Sequence, residues 1–529
     1  MKYRIQQIKM KPNEPVSKLP EKICKKLRRS DLELVNWKIT KKSIDARNDD
    51  VKFVYNVDFD AISRNTGRPA ALHEDKKKNL FMAPAPKTAE LIHGTAPQKG
   101  RPVIAGFGPC GMFAALVLAE EGYRPIVVER GADMDSRVED VKKFWEEGVL
   151  NPESNVQFGE GGAGTFSDGK LTTGINNIRI RKVLETFVKA GAKDEILYMN
   201  KPHIGTDVLR GVVKNIREEI KALGGEVLFF HKLTNINLVD GEVSSVEVLD
   251  EKTGETKVIE TQNLVAAIGH SARDTFHWLF EKGVEMNQKP FSIGVRIEHP
   301  QDVIDKSQYG EAAVAEDSEI KDFLPPADYK LSYHCENGRG VYTFCMCPGG
   351  EVIMASSEPE MAVTNGMSNS SRDSGVANSG LLVEVQTKDF PSEHPLAGVE
   401  FQREYERKAF QNGGYRGPQS TWGDFRQNSE KSKGLRNSLP EFAVESIIEA
   451  MPHLGKKLKG FDDDDALMTG VETRSSSPVR FVRDAKCQSN IKGLYPAGEG
   501  AGYAGGIVSA ACDGIKVAEK IIENFAEPK

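Results

Sequence analysis

The stretch VIAGFGPCGMFAALVLAEEGYRPIVVER, residues 103–130, sets a glycine-rich turn between two apolar runs. An apolar strand over 103–105 enters the turn, and a helix from about 109 to 121 leaves it. A second apolar strand follows over 125–128. This order of strand, glycine turn, helix and strand is that of a dinucleotide-binding βαβ unit. The sequence therefore predicts an α/β fold with a Rossmann-like domain.

The turn has the pattern G-x-G-x-x-G, and each glycine has a separate physical role. Gly106 permits the tight turn, Gly108 lets the backbone approach a pyrophosphate, and Gly111 lets the helix pack closely on the strand. The helix N-terminus, at Pro109 and Cys110, presents free N–H groups and a positive dipole end to the phosphates. A tight βαβ turn without a ligand is the alternative.

The acidic residue after the second strand bears on which dinucleotide binds. Glu129 stands 23 positions after Gly106 and is predicted to accept hydrogen bonds from a ribose diol. Its carboxylate would repel the 2′-phosphate of NADP, despite the neighbouring Arg130. The first unit alone leaves NAD and FAD open.

The C-terminal stretch GLYPAGEGAGYAGGIVSAACDGIKVAEKI, residues 493–521, favours FAD. It resembles the closing motif of FAD-dependent oxidoreductases, in which an acidic residue follows a strand and a helix N-terminus points at the flavin. A positive helix end there stabilises the charge of a reduced flavin. The resemblance places Glu499 as the acid, with the other contacts at Gly498, Gly505, Gly506 and Ile507.

The segment FGEGGAGTFSDGKLTTG, residues 158–174, matches the glycine pattern literally but lacks a preceding apolar strand. It is predicted as a loop of backbone donors around the pyrophosphate and flavin edge, and an ordinary surface loop is the alternative. Its predicted contacts are Gly162, Gly164, Lys170, Leu171, Thr172 and Thr173. A further contact is expected at Gly269, where the apolar strand of LVAAIGHSARDTF ends.

On these motifs the chain resembles the glutathione-reductase-type FAD oxidoreductase superfamily, and more closely the bacterial FAD-dependent dehydrogenases of unassigned substrate. NVQFGEGGAGTFSDGKLTT, YTFCMCPGGEV, TNGMSNSSR, GVETRSSSPVR and GEGAGYAGG follow the order of that group. The resemblance implies an FAD domain split between 96–285 and 465–529. It also places the strand ending at Leu233 near the adenine. Non-covalent FAD is predicted, because no histidine or cysteine can be singled out as an attachment point.

Two further units complete the predicted organisation. The resemblance also implies that residues 286–464 form an inserted α+β substrate domain over the flavin, in which 364–380 is either a mobile lid or a surface loop. Residues 1–95 form a small β-α-β-β domain. The first hundred residues carry 22 Lys and Arg against 12 Asp and Glu, in a chain whose net charge is -6. This basic patch is assigned no function, because a solvated basic face is the commoner explanation.

Cys345 and Cys347 are the first candidates for chemistry. They could form a redox pair that passes electrons to the flavin, or a metal site with Cys335 and His334. Buried apolar filling is the third interpretation, because residues two apart on a strand share a face. No metal site is predicted, since the spacing fits no zinc signature.

Two more candidates lie beside the glycine motifs. Arg474, with Arg480, could bind a substrate carboxylate or phosphate, stabilise anionic flavin, or pair with the acidic run Asp462–Asp465. His270 is a candidate proton donor near neutral pH, with a supporting or solvent-facing histidine as the alternative.

The composition, the lack of a long apolar run and the lack of a second dinucleotide-binding turn limit the possible functions. The 529 residues are 39 % apolar and 28 % charged, and no run is long enough to cross a membrane. Seven scattered cysteines indicate reduced thiols and a cytoplasmic location.

The sequence has no second glycine turn framed by strands, so electrons must come from NAD(P)H bound transiently over the flavin or from a redox protein. The prediction is a flavin-dependent dehydrogenase or reductase of a small organic substrate. A flavin monooxygenase and an FAD-binding RNA- or protein-interaction module are the alternatives.

Overall fold

The computed structural model describes residues 2–47, 50–85 and 91–528. The N-terminal unit is an antiparallel sheet of strand order β2-β3-β1-β4 covered by one helix. Its elements are β1 Lys2–Met10, α1 Leu19–Leu27, β2 Leu32–Asp45, β3 Lys52–Ser63 and β4 Leu80–Met82. Helix α1 buries Leu19, Ile23 and Leu27, whose spacing of four residues puts them on the face toward the sheet. The short strand β4 extends the predicted β-α-β-β order by one strand.

The dinucleotide-binding part follows, with strands and helices alternating. Its strands are β5 Val103–Ala105, β6 Ile126–Glu129, β7 Glu226–Phe229, β8 His231–Val239, β9 Glu242–Asp250, β10 Thr256–Glu260, β11 Leu264–Ala266 and β12 Met286–Gln288. Its helices are α2 Pro109–Glu120, α3 Met134–Glu147, α4 Ile180–Lys189, α5 Thr206–Ala222 and α6 Arg273–Glu281.

The rest of the chain contains a second sheet and a return to the first. Its strands are β13 Phe291–Pro300, β14 Ser332–His334, β15 Gly340–Cys347, β16 Glu351–Met354, β17 Thr364–Met367, β18 Val376–Val385, β19 Gln419–Thr421, β20 Leu467–Glu472, β21 Val479–Phe481 and β22 Leu494–Pro496. Its helices are α7 Gln301–Tyr309, α8 Glu311–Val314, α9 Ala397–Gly413, α10 Trp422–Arg426, α11 Lys433–Asn437, α12 Glu441–Lys457 and α13 Ile507–Ile522.

A parallel sheet of order β22-β11-β5-β6-β7 carries the glycine turn. Strands β5, β11 and β22 are buried on both faces, which is why they appear in the sequence as unbroken apolar runs. The C-terminal strand β22 pairs with β11, so the last part of the chain completes the sheet begun by the first crossover. This topology confirms the predicted α/β, Rossmann-like fold.

Helices α2 and α13 pack against each other beside this sheet. A Cβ on Gly514 of α13 would lie 2.0 Å from the carbonyl oxygen of Cys110 in α2, so only glycine permits this approach. Nearly all of α2 is buried, from Cys110 to Ala119. Such close contact joins two segments that lie about 400 residues apart in sequence.

The inserted sheet has the order β14-β15-β18-β13-β20-β19, and β13 pairs antiparallel with β18 along ten residues. Residues 364–380, predicted as a lid or a surface loop, instead comprise β17, the start of β18 and the loop between them. In that loop Ser368 and Arg372 both donate hydrogen bonds to the buried Asp168 of the glycine-rich loop. The segment is therefore fixed to the first domain. Among the described residues, every helix is too short or too polar to cross a membrane.

Candidate functional site

A cavity of about 380 Å³ lies where the parallel sheet, the loop 158–174 and the inserted sheet meet. Most of the residues predicted from the sequence line it. They are Gly106, Gly108, Pro109, Cys110, Glu129, Arg130, Gly162, Gly164, Lys170, Thr172, Leu233, Gly269, His270, Cys345, Arg474, Glu499, Gly505, Gly506 and Ile507. The other five lie outside its lining, namely Gly111, Leu171, Thr173, Cys347 and Gly498. The structure thus gathers segments from both ends of the chain around one space.

The three glycines of the first turn differ in what a side chain would meet. A Cβ on Gly106 would lie 2.4 Å from the carbonyl oxygen of Ala267, and one on Gly111 would lie 2.0 Å from that of Gly106. A Cβ on Gly108 would come no closer than 3.7 Å, to the Cα of Gly162. Gly106 and Gly111 are therefore required by the packing of the protein itself. Gly108 instead leaves room at the cavity wall.

Glu129 ends β6 and holds three backbone segments together. Its carboxylate accepts hydrogen bonds from the backbone N–H groups of Phe107 (2.8 Å), Gly131 (2.9 Å) and Gly159 (2.9 Å). A carboxylate has about four acceptor positions, so these bonds leave room for about one more. Glu129 thus shapes the turn, in addition to the ribose-binding role predicted for it.

The neighbouring Arg130 is committed to other partners. Its guanidinium donates to Glu153 at 2.6 Å and to both carboxylate oxygens of Asp274 at 2.9 and 3.0 Å. It also lies over the ring of Phe158, 4.2 Å from the centroid. Arg130 lines the cavity with its charge already neutralised by two carboxylates.

A buried side chain that was not predicted from the sequence holds the glycine-rich loop, residues 158–174, in place. Arg137 of α3 is fully buried and donates to the carbonyl oxygens of Asn155 (2.9 Å), Val156 (2.9 Å) and Glu160 (2.6 Å). The buried Glu160 pairs in turn with Arg217 at 2.9 Å. These bonds fix the path of the loop so that its glycines face the cavity. An arginine on an amphipathic helix gives no sequence signal for such a role.

The C-terminal coil also leaves open backbone at the cavity. A Cβ on Gly505 or Gly506 would meet no atom within 4 Å. Helix α13 begins immediately afterwards at Ile507 and, like α2, has no side-chain cap on its N-terminus. The N-terminal amides of two helices therefore remain available at the cavity, where they favour negative charge.

Glu499 follows β22 and lines the same cavity. Burial raises the pKa of this carboxyl to about 7, and the positive charge of Lys289 only partly opposes that effect. Its Oε1 lies 3.7 Å from the Nε2 of His270. Glu499 is therefore a group that takes up or releases a proton near neutral pH.

His270, predicted either as a proton donor or as a supporting residue, lines the cavity beside Glu499. Burial lowers the pKa of its ring to about 3, assisted by the positive charges of Arg474 and Arg273. The imidazole is therefore neutral at physiological pH. Its Nδ1 lies 3.3 Å from the hydroxyl of Ser271. The structure favours a supporting position for this ring in the cavity wall.

Arg474 is buried in an ion cluster instead of being free to bind a substrate. Its Nε and Nη2 donate to Glu406 at 3.0 and 2.8 Å, and its Nη1 donates to Ser271 (3.0 Å) and Ser357 (2.6 Å). These bonds use four of the five N–H groups of a guanidinium. Arg273 binds the other side of the same Glu406 carboxylate, at 2.7 and 2.8 Å.

The predicted pairing of these arginines with the run Asp462–Asp465 is wrong for Arg474, whose carboxylate partner is Glu406. Asp464 pairs with Arg426 at 2.8 Å instead. Arg480 lies over the ring of Tyr503, 4.4 Å from its centroid. The acidic run is therefore outside the cavity wall that Arg474 helps to form.

Cys345 and Cys347 stand at the end of β15, where the strand is irregular. Cys345 is half-buried and lines the cavity, whereas Cys347 is fully buried behind it. The metal alternative with Cys335 has no support, because that thiol donates to the carbonyl of Ser446 at 3.5 Å. Within the described part of the chain, no group of three or more His, Cys, Asp or Glu residues is arranged to hold a metal.

Several lining residues lie within the quoted segments but were not singled out there as site residues. They include Gln157, Ser271, Phe344, Asn365 and Glu472. Burial raises the pKa of Glu472 to about 7, and the nearby Arg296 opposes this effect. The fully buried Arg296 also donates to Asn365 and Asn378, at 3.0 and 3.1 Å. Only the partners brought by the fold distinguish these side chains from ordinary polar residues.

Comparison with known proteins gives one relative that spans the whole chain. An uncharacterized protein of Clostridium beijerinckii is 48 % identical over 549 residues, covering 100 % of both chains. Residues 290–475 match a family described as FAD-dependent protein, C-terminal domain-like, and residues 1–60 match a domain of unknown function. The matched family agrees with the FAD predicted from the sequence. The finer glutathione-reductase-type assignment stays a prediction.

Similarity to solved structures is distant. A glycerol-3-phosphate dehydrogenase from Bacillus halodurans complexed with FAD matches 81 % of this chain and 66 % of its own, with 14 % identity and a TM-score of 0.38. A geranylgeranyl bacteriochlorophyll reductase-like protein from Thermoplasma acidophilum matches 81 % and 79 %, with 13 % identity and a TM-score of 0.36. Glycine oxidase from Bacillus cereus matches 80 % and 95 %, with 12 % identity and a TM-score of 0.34. Likenesses of this size carry no argument about function.

Proposed function

This chain belongs to the same family as the full-length Clostridium beijerinckii protein, and from that premise we propose that it is an oxidoreductase holding FAD non-covalently. Its substrate is a small organic molecule that reaches the cavity of about 380 Å³. One observation carries the proposal: the first glycine turn and the C-terminal coil, which are far apart in sequence, line this single cavity. A volume of this size lies within the range of cofactor and ligand sites.

The residues present fit a dinucleotide with a flavin at one end. Helices α2 and α13 both begin at the cavity without side-chain caps, so the N-terminal amides of both helices favour anionic groups there. Gly108, Gly505 and Gly506 place backbone at the wall with no side chain to obstruct a ligand. These features match a pyrophosphate at one helix and the electron-accepting edge of a flavin at the other.

The binding residues divide by position along the cavity. Glu129 would accept a bond from a ribose hydroxyl, and Leu233 of β8 would lie beside the adenine. The loop 158–174 would supply backbone donors to the pyrophosphate, with Lys170 and Thr172 near the flavin. Glu499 and the first turn of α13 would hold the flavin. Arg130, already bound to Glu153 and Asp274, would contribute only its surface.

When bound, FAD supplies the two-electron redox chemistry, and the protein positions the substrate and controls protons. Glu499 holds or releases a proton near neutral pH at its carboxyl, since its pKa is about 7. The neutral His270 beside it accepts or donates a hydrogen bond without adding charge. Arg474 is a positioning residue that fixes Ser271 in the wall through its 3.0 Å bond. Electrons would arrive from NAD(P)H or from a redox protein.

The cysteines support a cytoplasmic location. All seven cysteines are free thiols. A chain with this many unpaired thiols fits a reducing compartment, and we assign it to the cytoplasm.

A visible absorption spectrum of the purified protein, followed by anaerobic titration with NADH and NADPH, tests the proposal. We expect a flavin spectrum that denaturation releases as free FAD, and bleaching by at least one pyridine nucleotide or by a reduced redox protein. A protein that stays colourless after reconstitution with FAD would overturn the assignment.

A pair of glycine variants supplies the matched control. Gly505→Val puts a branched side chain into open space at the cavity wall and should lower the FAD bound per protein at least tenfold. Gly211→Val makes the same change on the exposed face of α5, where a Cβ also meets no atom within 4 Å, and should leave FAD content unchanged. Equal FAD content in the two variants would count against this cavity as the cofactor site.

A further inference from the structure

We propose that Cys345 and Cys347 form a thiol–disulfide redox pair at the cavity wall, and that the substrate class is a small disulfide compound attacked by Cys345. The pair rests on the proposed function, because the bound FAD is the cofactor that returns the pair to the dithiol. It deepens that function by naming the bond that the protein would reduce.

The backbone at Cys345 departs from ordinary strand geometry. Phe344 pairs with Gly380 and Cys347 with Asn378, so β15 fits one residue more than β18 into this interval and forms a bulge. Cys345 has a φ of 42°, a left-handed conformation that non-glycine residues rarely adopt. Such strained positions occur preferentially at functional sites, and a bulge turns a side chain away from its regular direction. The bulge thus presents Cys345 to the cavity.

The second thiol is confined next to the first. The Cys347 thiol donates a hydrogen bond to the carbonyl oxygen of Cys345 at 3.2 Å. On its other side the sulfur packs so closely that a Cβ on Gly366 would lie 2.9 Å from it. A Cβ on Gly350 would lie 3.0 Å from the Cβ of Cys347. The surrounding backbone therefore leaves this thiol little room to move away from Cys345.

The charges around the pair separate the roles of the two sulfurs. The adjoining Cys347 side chain lowers the pKa of Cys345 to about 5, and the positive charges of Lys170 and Arg296 contribute. The adjoining Cys345 side chain, together with burial, raises the pKa of Cys347. Cys345 is therefore the thiolate that attacks, and Cys347 is the thiol that resolves the resulting mixed disulfide.

The pKa values of the other five cysteines differ from that of Cys345 in the direction of their shift. Burial raises the pKa of each of them, namely Cys24, Cys110, Cys335, Cys487 and Cys512. Buried apolar filling thus accounts for those five. It does not account for a half-buried thiolate on a strained residue that faces a cavity.

The reaction balances in two exchanges. The Cys345 thiolate attacks one sulfur of the substrate disulfide, which breaks the substrate S–S bond, forms a mixed disulfide and releases the first thiolate. The Cys347 sulfur then attacks Cys345, loses its proton to the second leaving thiolate, and closes the protein disulfide. Two electrons have passed to the substrate, which leaves as two thiols once the first has taken a proton from solvent. Bound FAD, once reduced, would supply the two electrons and two protons that restore the dithiol, and Cys345 would return one proton to solvent as it ionises.

The test measures the oxidation state of one peptide in the full-length protein. Trypsin releases residues 340–372, which contain Cys345 and Cys347 and no other cysteine. The protein is equilibrated with mixtures of reduced and oxidised glutathione, quenched in acid, alkylated and digested. We expect this peptide to lose two hydrogen atoms and both alkylation sites together as the mixture becomes more oxidising. A peptide that takes two labels in every mixture would overturn the pair.

Variants separate the two sulfurs. With Cys347→Ser, oxidised glutathione should leave a stable mixed disulfide on Cys345, whereas the unaltered protein should resolve it. Iodoacetamide at pH 6 should label Cys345 at least about tenfold faster than the half-buried Cys24, whose pKa is raised. Equal rates would contradict the roles assigned here.

A control variant and an absorption spectrum distinguish failure of the redox pair from failure of the proposed FAD-dependent function. Cys24→Ser should leave the oxidation of peptide 340–372 unchanged, because Cys24 lies in the N-terminal unit. The FAD spectrum is recorded on each sample before digestion. A yellow protein whose peptide never oxidises overturns the pair alone, and a protein that cannot be loaded with FAD overturns the proposed function.

Discussion

The glycine turn after β5 and the inserted wall around Arg474 and Cys345 face the same cavity but are built in different ways. The turn presents backbone to the cavity. It offers N–H groups to a ligand, and its glycines leave space because they carry no side chains. The wall is made of buried charge, in which Glu406 lies between Arg273 and Arg474 with each of the three side chains at most 3 % exposed. One region forms from neighbours in sequence, and the other forms only when distant helices and strands meet.

The two regions should therefore respond differently to substitution, in stability and in ligand binding. Buried charges cost much free energy unless every partner is in place, so the wall tolerates little change. In the turn the two functions can be separated by substitution, because Gly108 and Gly111 meet different neighbours. A side chain on Gly108 should affect ligand binding, whereas a side chain on Gly111 should affect packing.

Removing the central carboxylate of the wall should have the largest effect. Glu406→Ala leaves Arg273 and Arg474 buried without their shared partner, which we expect to lower the free energy of unfolding by about 3–5 kcal/mol. Chemical denaturation followed by circular dichroism measures the change. The matched control is Glu404→Ala on the same helix, since Glu404 forms an exposed pair with Lys408 and should cost no more than about 0.5 kcal/mol. Similar losses in both variants would show that the buried cluster is not what stabilises the wall.

The next effect compares two glycines of one turn. Gly111→Ala places a Cβ 2.0 Å from the carbonyl oxygen of Gly106, so helix and strand must separate, at a cost of about 1–3 kcal/mol. Gly108→Val should change the unfolding free energy by less than about 1 kcal/mol, because the nearest atom to its Cβ is 3.7 Å away. It should nevertheless lose retention of FAD. Denaturation curves and the FAD content of each variant measure both quantities, and an unstable Gly108→Val that keeps its FAD would reverse the comparison.

The smallest effect concerns pH and the carboxyl that completes the cavity. Burial raises the pKa of Glu499 to about 7, above its ordinary value in the unfolded chain. The folded state therefore binds more protons in this window, and its stability falls as pH rises from about 4.5 through 7. Glu499→Gln should reduce that fall by about 1–2 kcal/mol in unfolding experiments at pH 5 and pH 8. Glu404→Gln, which alters an exposed pair, should leave the fall unchanged, and identical curves for all three proteins would refute the burial argument.

The parallel sheet and both glycine motifs could be predicted because their signals are local. Apolar runs of three or four residues around a glycine turn specify strand, turn and helix wherever they occur. The role of His270 could not be predicted in this way, because its charge state depends on burial and on Arg474 and Arg273, which are distant in sequence. For residues 364–380 the sequence left a mobile lid and a surface loop open, since its composition gives no sign that Ser368 and Arg372 bind Asp168.

The sequence by itself determined the βαβ unit, the acidic residue at Glu129 and the second glycine segment near the C-terminus. Their geometry follows from backbone conformation and hydrogen-bonding groups that adjacent residues supply. Only the tertiary structure decided that Arg474 binds Glu406, that Arg137 supports the glycine-rich loop and that Cys345 faces the cavity. The physical reason is that the energy of a buried charge or thiol depends on its neighbours in space, and folding brings these neighbours together from distant parts of the chain.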